Sequence, residues 1–363
     1  MDDAPIGKAS RAGAGIVGLA AGYFAAYVPY SALVKALSNG DVPGTEGPVG
    51  GLVLLPAAAL GQLAAMPVFL SVAGWWRYAH RRTIAGRRVV TPGPAMLRAS
   101  LWTALIVGAT TLNYTFPGAS ILLMLLLMRG GVLILAPVMD LLRRRTVRAA
   151  SWAALGLSLA AVAVALGDVE GYGLGLGAAL SVGLYLAGYA GRFAVMSAVA
   201  KRGERERDRR YFVDEHIGTP VVLVLLCAVP AAVGAGAWGA ELREGFTGFL
   251  LTPAAVPAFL VGVLYEAVFV LGTWIYLDRR EFTWAVPANR CASLLAGVVA
   301  SFGLTALAGL PRPGDAELLA LAFIGAASAV LALPGAGRGG TPPERPDRPA
   351  RLAAGRPGGG ASR

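Results

Sequence analysis

Long apolar blocks separated by short polar breaks recur along the whole chain. A helix needs about 20 apolar residues to cross roughly 30 Å of hydrocarbon. Blocks at residues 13–37, 50–76, 99–116, 118–142, 149–167, 173–200, 217–239, 254–277, 283–309 and 315–336 predict ten such helices. In the bilayer core no water is at hand, so each helix has to satisfy its own backbone N–H and C=O groups. The third and fourth blocks are parted only by Phe116-Pro117-Gly118, where proline and glycine predict a tight turn rather than one continuous span. The expected fold class is an all-α integral membrane protein with about ten transmembrane helices.

Composition agrees with the pattern. Of 363 residues, 56% are hydrophobic and 15% charged, and the mean hydropathy is +0.62, unlike a soluble domain of this size. The net charge of +11 would suggest nucleic acid in a soluble protein. Here the basic residues fall in breaks between blocks, where they report topology, so no nucleic-acid partner is expected. Arg81, Arg82, Arg87 and Arg88, then Arg143 to Arg145, then Lys201 through Arg210, then Arg279 and Arg280 occupy every second break. Acids such as Asp41, Glu46, Asp168, Glu170 and Glu241 occupy the others. By the positive-inside rule both termini are cytoplasmic, in an inner or plasma membrane. Residues 1–12 form a short cytoplasmic start, and the Pro-, Gly- and Arg-rich stretch 337–363 reads as a disordered tail. Lys8 and Arg11 ahead of an apolar run resemble a signal peptide, but the run is long and lacks a small-x-small cleavage site, so it reads as a retained first helix. Cys227 and Cys291 each lie inside an apolar block and suggest neither a disulfide framework nor a zinc site.

Ten helices divide into a first repeat over 13–167 and a second over 173–336. Because five is odd, the second set crosses the membrane in the opposite sense, and the halves are inverted. A faint echo accompanies this: Tyr114 precedes Arg129 across one helix turn, and Tyr276 precedes Arg290 across another, at separations of 15 and 14 residues.

Ionisable residues inside the blocks are the candidate chemistry, since an arginine near a helix centre costs roughly 2.5–3.5 kcal/mol on insertion scales and needs a partner, a cavity or water. Arg129 lies deep in the fourth block, followed by Gly130 and Gly131, which let a neighbouring helix approach. It reads as an anion site or as a staple between helices. Arg290, in Ala288-Asn289-Arg290-Cys291, either serves the same site or snorkels to the surface. Glu266, after Tyr265, reads as the only acid well inside any block, and it pairs with an arginine or carries a proton, roles that need not exclude each other. Lys35, Asp140 and Arg192 lie nearer helix ends and read as interfacial. Asn113, Tyr114, Tyr185, Tyr189 and Tyr265 are candidates to line a cavity, and Trp75, Trp76 and Trp274 read as interface anchors.

Other motifs fail their structural conditions. Gly13-Ala14-Gly15-Ile16-Val17-Gly18 matches a dinucleotide fingerprint but follows no strand and opens a membrane helix. Gly18 with Gly22, and Gly173 with Gly177, have the spacing of helix-packing glycines. His80 and His216 have no second histidine at ligand spacing, and no Ser, His and Asp set converges, so neither an enzyme nor a metal or cofactor site is expected.

The layout resembles the drug/metabolite transporter superfamily, specifically its ten-helix EamA-like members, over about residues 13–336. That resemblance rests on the five-plus-five arrangement, on Phe116-Pro117-Gly118 leading through Ala119-Ser120-Ile121 into the Arg129 helix, and on the matching Arg290 helix. It implies two inverted five-helix repeats, cytoplasmic termini, and basic residues in the fourth and ninth helices that hold substrate phosphate in the nucleotide-sugar and triose-phosphate branches. No nucleotide-recognition motif of those branches is present, and Tyr265-Glu266 matches none of their patterns. The expected function is a secondary transporter of a small anionic metabolite, working by alternating access around a midplane cavity. Its expected substrate site comprises Arg129, Arg290, Glu266, Asn113, Tyr114, Tyr265 and Asn289, with Glu266 competing for the arginines or carrying a coupled proton. The alternatives are a flippase for an anionic lipid headgroup and a non-transporting membrane subunit or sensor.

Overall fold

A computed structural model describes residues 6–117, 119–142, 149–167, 175–199, 205–277 and 282–332. Gly118, Asp168, Glu170, the basic residues Arg143 to Arg145, Lys201, Arg279 and Arg280, and the tail from 337 lie outside the described residues, as do the side chains of Asp140 and Tyr276.

The described chain is helical apart from one small hairpin. Its α-helices are α1 (Ile6–Asn39), α2 (Gly51–Val72), α3 (Pro94–Asn113), α4 (Ile121–Leu142), α5 (Ala149–Gly167), α6 (Leu176–Val199), α7 (Arg205–Val233), α8 (Gly236–Phe246), α9 (Ala255–Leu277), α10 (Phe282–Ala308) and α11 (Asp315–Ala332). Seven of them, α1, α2, α3, α6, α7, α9 and α10, are long and apolar enough to cross a membrane. Large apolar side chains such as Val72, Leu176 and Leu307 point outward, at 86%, 76% and 90% exposure, as a bundle solvated by lipid requires. The architecture is that of an all-α membrane protein.

Helix starts differ from the hydropathy pattern where charge and helix propensity disagree. α7 begins at Arg205 rather than at 217, so the charged run through Arg210 is the first turns of a helix, not a loop. Glu206 and Asp208 favour its positive N-terminal end, and Glu206 pairs with Arg210 at 2.7 Å across one turn. α3 begins at Pro94, where a proline at the first helical position loses no hydrogen bond.

The break between α2 and α3 is built rather than loose. α2 stops at Val72, Gly74 turns left-handed with φ 64°, and Trp75–Tyr78 form one turn of 3₁₀ helix. Strands β1 (Arg81–Ile84) and β2 (Arg87–Val90) then pair antiparallel around Ala85-Gly86, both at positive φ, as a two-residue hairpin requires. The hairpin is tied to α7: the His80 N–H donates to Asp214 Oδ1 at 2.9 Å, and Arg209 donates to the Tyr78 hydroxyl at 2.7 Å. That bond favours the phenolate and holds the Tyr78 phenol below its ordinary range. Trp75 and Trp274 pack with Phe69 and Phe212 in tilted and edge-on contacts, forming an aromatic cluster, while Trp76 donates to Ser71 Oγ.

Helix crossings set the core. α1 packs on α9 and α10, α2 on α9 and α7, α3 on α6 and α7, α4 on α5, α6 and α10, and α5 on α11. The tightest approach is α2 on α9, where a Cβ on Gly61 would meet the Phe259 carbonyl and one on Gly262 would meet the Ala58 carbonyl. At α3 on α6, Gly188 and Gly191 receive Trp102. The sequence pairs Gly18 with Gly22 and Gly173 with Gly177 play a smaller part: Gly18 faces open space, and Gly22 and Gly177 make ordinary contacts with Leu271 and Phe116. Gly173 lies outside the described residues. Gly130 and Gly131 do admit neighbours, Val162 with Ile324 and Leu186.

Candidate functional site

Arg129 sits two turns into α4 with 2% of its surface exposed. Its guanidinium is enclosed by four tyrosine hydroxyls from two helices. Nη1 donates to Tyr185 at 2.7 Å and Tyr189 at 3.4 Å on α6, and Nη2 donates to Tyr27 at 3.1 Å and Tyr23 at 3.3 Å on α1. The Tyr27 hydroxyl continues to that of Tyr114 at 2.7 Å. Every described hydrogen-bond partner of this buried cation is a tyrosine hydroxyl, with no carboxylate among them, and Nε has none among the described residues. A buried charge without an opposite charge is costly, so the place invites an anion.

A second buried guanidinium shares the chamber. Arg192, seven residues after Tyr185 on α6, donates through Nε and Nη2 to the Glu215 carboxylate at 2.7 and 2.9 Å and through Nη2 to Thr273 Oγ1 at 3.0 Å. Glu215 also accepts from Thr103 at 2.8 Å and Tyr211 at 3.1 Å, so α3, α6, α7 and α9 meet at one ion pair. This corrects two sequence expectations. Arg192 is not an exposed charge at a helix end but is buried, at 4% exposure, and Glu266 is not the sole acid inside the helical core, since Glu215 is fully buried. Both were hidden by the charged start of α7, which keeps the hydropathy pattern from extending back to Glu215. Next to it, the buried His216 ring is sandwiched between Phe212 and Phe269 at 4.0 and 3.8 Å.

Arg290, fully buried on α10, places its guanidinium 4.9 Å from the Tyr189 ring centroid, a cation–π contact. It does not snorkel. Glu266 on α9 accepts a hydrogen bond from the Gln62 amide of α2 at 3.0 Å, and its other oxygen has no described partner. Its partner is therefore an amide rather than an arginine. Lys35, read as interfacial, is 7% exposed and donates to the Ala119 carbonyl at 2.8 Å.

Between Arg129 and Arg192 lies a small cavity of about 30 Å³. Of the expected site residues, Arg129, Tyr265 and Asn289 line it. Tyr114 reaches it through Tyr27, and Arg290 through Tyr189. Asn113 is buried at the end of α3, with neither amide atom bonded among the described residues, and Glu266 lies at the α2–α9 crossing; neither lines the cavity. Residues missed in the sequence are Tyr23, Tyr27, Arg192, Thr103 and Thr273. One signal was available: Tyr23-Phe24-Ala25-Ala26-Tyr27-Val28-Pro29-Tyr30 and Tyr185-Leu186-Ala187-Gly188-Tyr189-Ala190-Gly191-Arg192 share a Tyr-x3-Tyr frame, and both frames hold Arg129.

Among known proteins, no family model matches the chain and no curated relative matches it. A solved structure described as "Crystal structure of protein" is similar over 86% of this chain and 96% of its own, at 18% identity and a TM-score of 0.48.

Proposed function

We propose that the protein is a secondary transporter of a small anion, of the EamA-like kind in the drug/metabolite transporter superfamily, with Arg129 as its principal ligand. The observation that carries this reading is the guanidinium of Arg129, buried among four tyrosine hydroxyls with no described carboxylate beside it. Arg192 in the same chamber has Glu215, so an arriving anion can neutralise Arg129 outright and compete with Glu215 for Arg192. Occupied and empty states then differ in electrostatics, which is what a transport cycle requires of its substrate.

The wider reading comprises ten passes, cytoplasmic termini in an inner or plasma membrane, and two inverted repeats, α1–α5 and α6, α7 and α9–α11, with α8 inserted. Packing supports it. Exchanging the repeats maps α1 on α9 to α6 on α3, α2 on α9 to α7 on α3, α4 on α5 to α10 on α11, and leaves α5 on α11 unchanged, and each of these contacts is present. The Tyr-x3-Tyr frames of α1 and α6, and the arginines of α4 and α10, fall at matching places in that exchange. The α1 and α6 tyrosines hold the Arg129 guanidinium, so an anion that binds it in their place requires them to part. Glu266, held by Gln62 alone, is the group on which a proton would act.

The test is a thermal-shift screen of purified protein against phosphorylated sugars, nucleotides, organic acids, amino acids and lipid headgroups, beside folded Arg129→Ala and Arg129→Lys variants. A ligand binding the native state raises its stability by mass action. Arg129→Ala is expected to weaken any soluble anionic hit about tenfold to a hundredfold, the worth of a charged hydrogen bond. An anionic hit bound equally by wild type and Arg129→Ala would sink the reading, and lipid headgroups as the sole hits would move it to a flippase.

A further inference from the structure

The last turns of α1, α5 and α10 and the first turns of α4 and α11 enclose a separate cavity of about 400 Å³ at the end of the bundle away from the hairpin. That volume lies in the range of small-molecule pockets, roughly 300–1,000 Å³. One part of its wall is apolar, with Leu304 and Leu310, and another is basic, with Lys35 and Arg312.

The polar groups are arranged for an acceptor. An ammonium has three N–H donors, and Lys35 spends two on carbonyls, Ala119 at 2.8 Å and Phe116 at 3.5 Å, leaving one for the cavity. No described carboxylate forms an ion pair with it. Ser301, also on the wall, has a buried hydroxyl with no hydrogen-bond partner among the described residues. Arg312 is exposed at the rim. The acid of the wall, Glu317, is engaged by the Ser120 hydroxyl, whose oxygen in turn caps the Leu123 N–H at 2.9 Å at the start of α4.

We infer that this cavity is an anion-binding site separate from the Arg129 chamber, and that it takes a small organic anion with an apolar body, of the aromatic-carboxylate class. The carboxylate meets Lys35, Ser301 and Arg312, and the ring lies on Leu304 and Leu310. Binding here does not depend on the transporter reading; only the cavity's role as a station on the path to Arg129 rests on it.

Benzoate is the probe and acetate its counterpart without an apolar body, titrated calorimetrically into the full chain in detergent, for wild type, Arg312→Gln, Lys35→Gln and Arg129→Gln. Benzoate is expected to bind wild type more tightly than acetate, to lose about tenfold in affinity in Arg312→Gln and in Lys35→Gln, and to keep its affinity in Arg129→Gln. Arg312 is exposed and dispensable for packing, so its variant decides the matter if Lys35→Gln does not fold. No benzoate binding to wild type, or affinity unchanged in both Arg312→Gln and Lys35→Gln, would overturn the inference. Acetate binding as tightly as benzoate would overturn the assigned class. Binding lost in Arg129→Gln alone would place benzoate in the central chamber, overturning this site while favouring the transporter reading.

Discussion

At the scale of residues, the two central arginines solve burial differently. Arg192 has a carboxylate and two further bonded helices around it, whereas the described hydrogen-bond partners of Arg129 are tyrosine hydroxyls. Removing one member of a buried ion pair leaves the other charge stranded, which costs about 3–5 kcal/mol, while replacing both by apolar residues is often neutral. Glu215→Leu is therefore expected to destabilise the protein by about that amount, and Arg192→Met with Glu215→Leu to recover most of it, as read by denaturant unfolding in detergent. Equal destabilisation by the single and double variants would show that the pair is not the source. Arg129 was legible in the sequence because it stands deep in an apolar block. Arg192 was not, because it lies two turns from a basic stretch and its partner Glu215 precedes the apolar part of α7. The tyrosines were passed over because aromatic residues at helical spacing usually pack; only their repetition in two distant helices marks them.

At the scale of elements, hydropathy located the long apolar helices because lipid demands such blocks, yet it misplaced the start of α7 and did not foresee the hairpin, where charge and turn chemistry decide. Backbone proximity was equally hidden. Which glycines face another helix depends on rotation about the helix axis, and the tight α2–α9 crossing uses Gly61 and Gly262 rather than the spaced pairs near the N-terminus. Gly262→Ala would drive its methyl group into the Ala58 carbonyl, and overpacking of this kind costs about 1–3 kcal/mol. Gly303→Ala meets nothing within 4 Å and is expected to hold or raise stability by about 0.5–1 kcal/mol, the helix-propensity difference. Circular dichroism during unfolding in detergent distinguishes them. Equal midpoints for the two variants would contradict the close crossing.

At the scale of the whole molecule, the proposed inverted arrangement makes a prediction about sidedness, because it alternates loop charge across the membrane. Glu46 and Arg87, both exposed, then lie on opposite membrane faces. In a Cys227→Ala, Cys291→Ala background, an impermeant maleimide is expected to label Glu46→Cys in intact cells and Arg87→Cys only after lysis; labelling of both from outside would refute the orientation. The long apolar helices were visible in the sequence, but the meeting of α1 and α6 around Arg129 was not, since it is made by helices far apart in the chain. The central claim is that this meeting place binds and moves an anion. Its most direct test is counterflow in proteoliposomes of the anionic ligand found by the stability screen, comparing wild type with folded Arg129→Ala. Accumulation by wild type that falls at least about tenfold in the variant is the predicted result, and equal accumulation by both would contradict it.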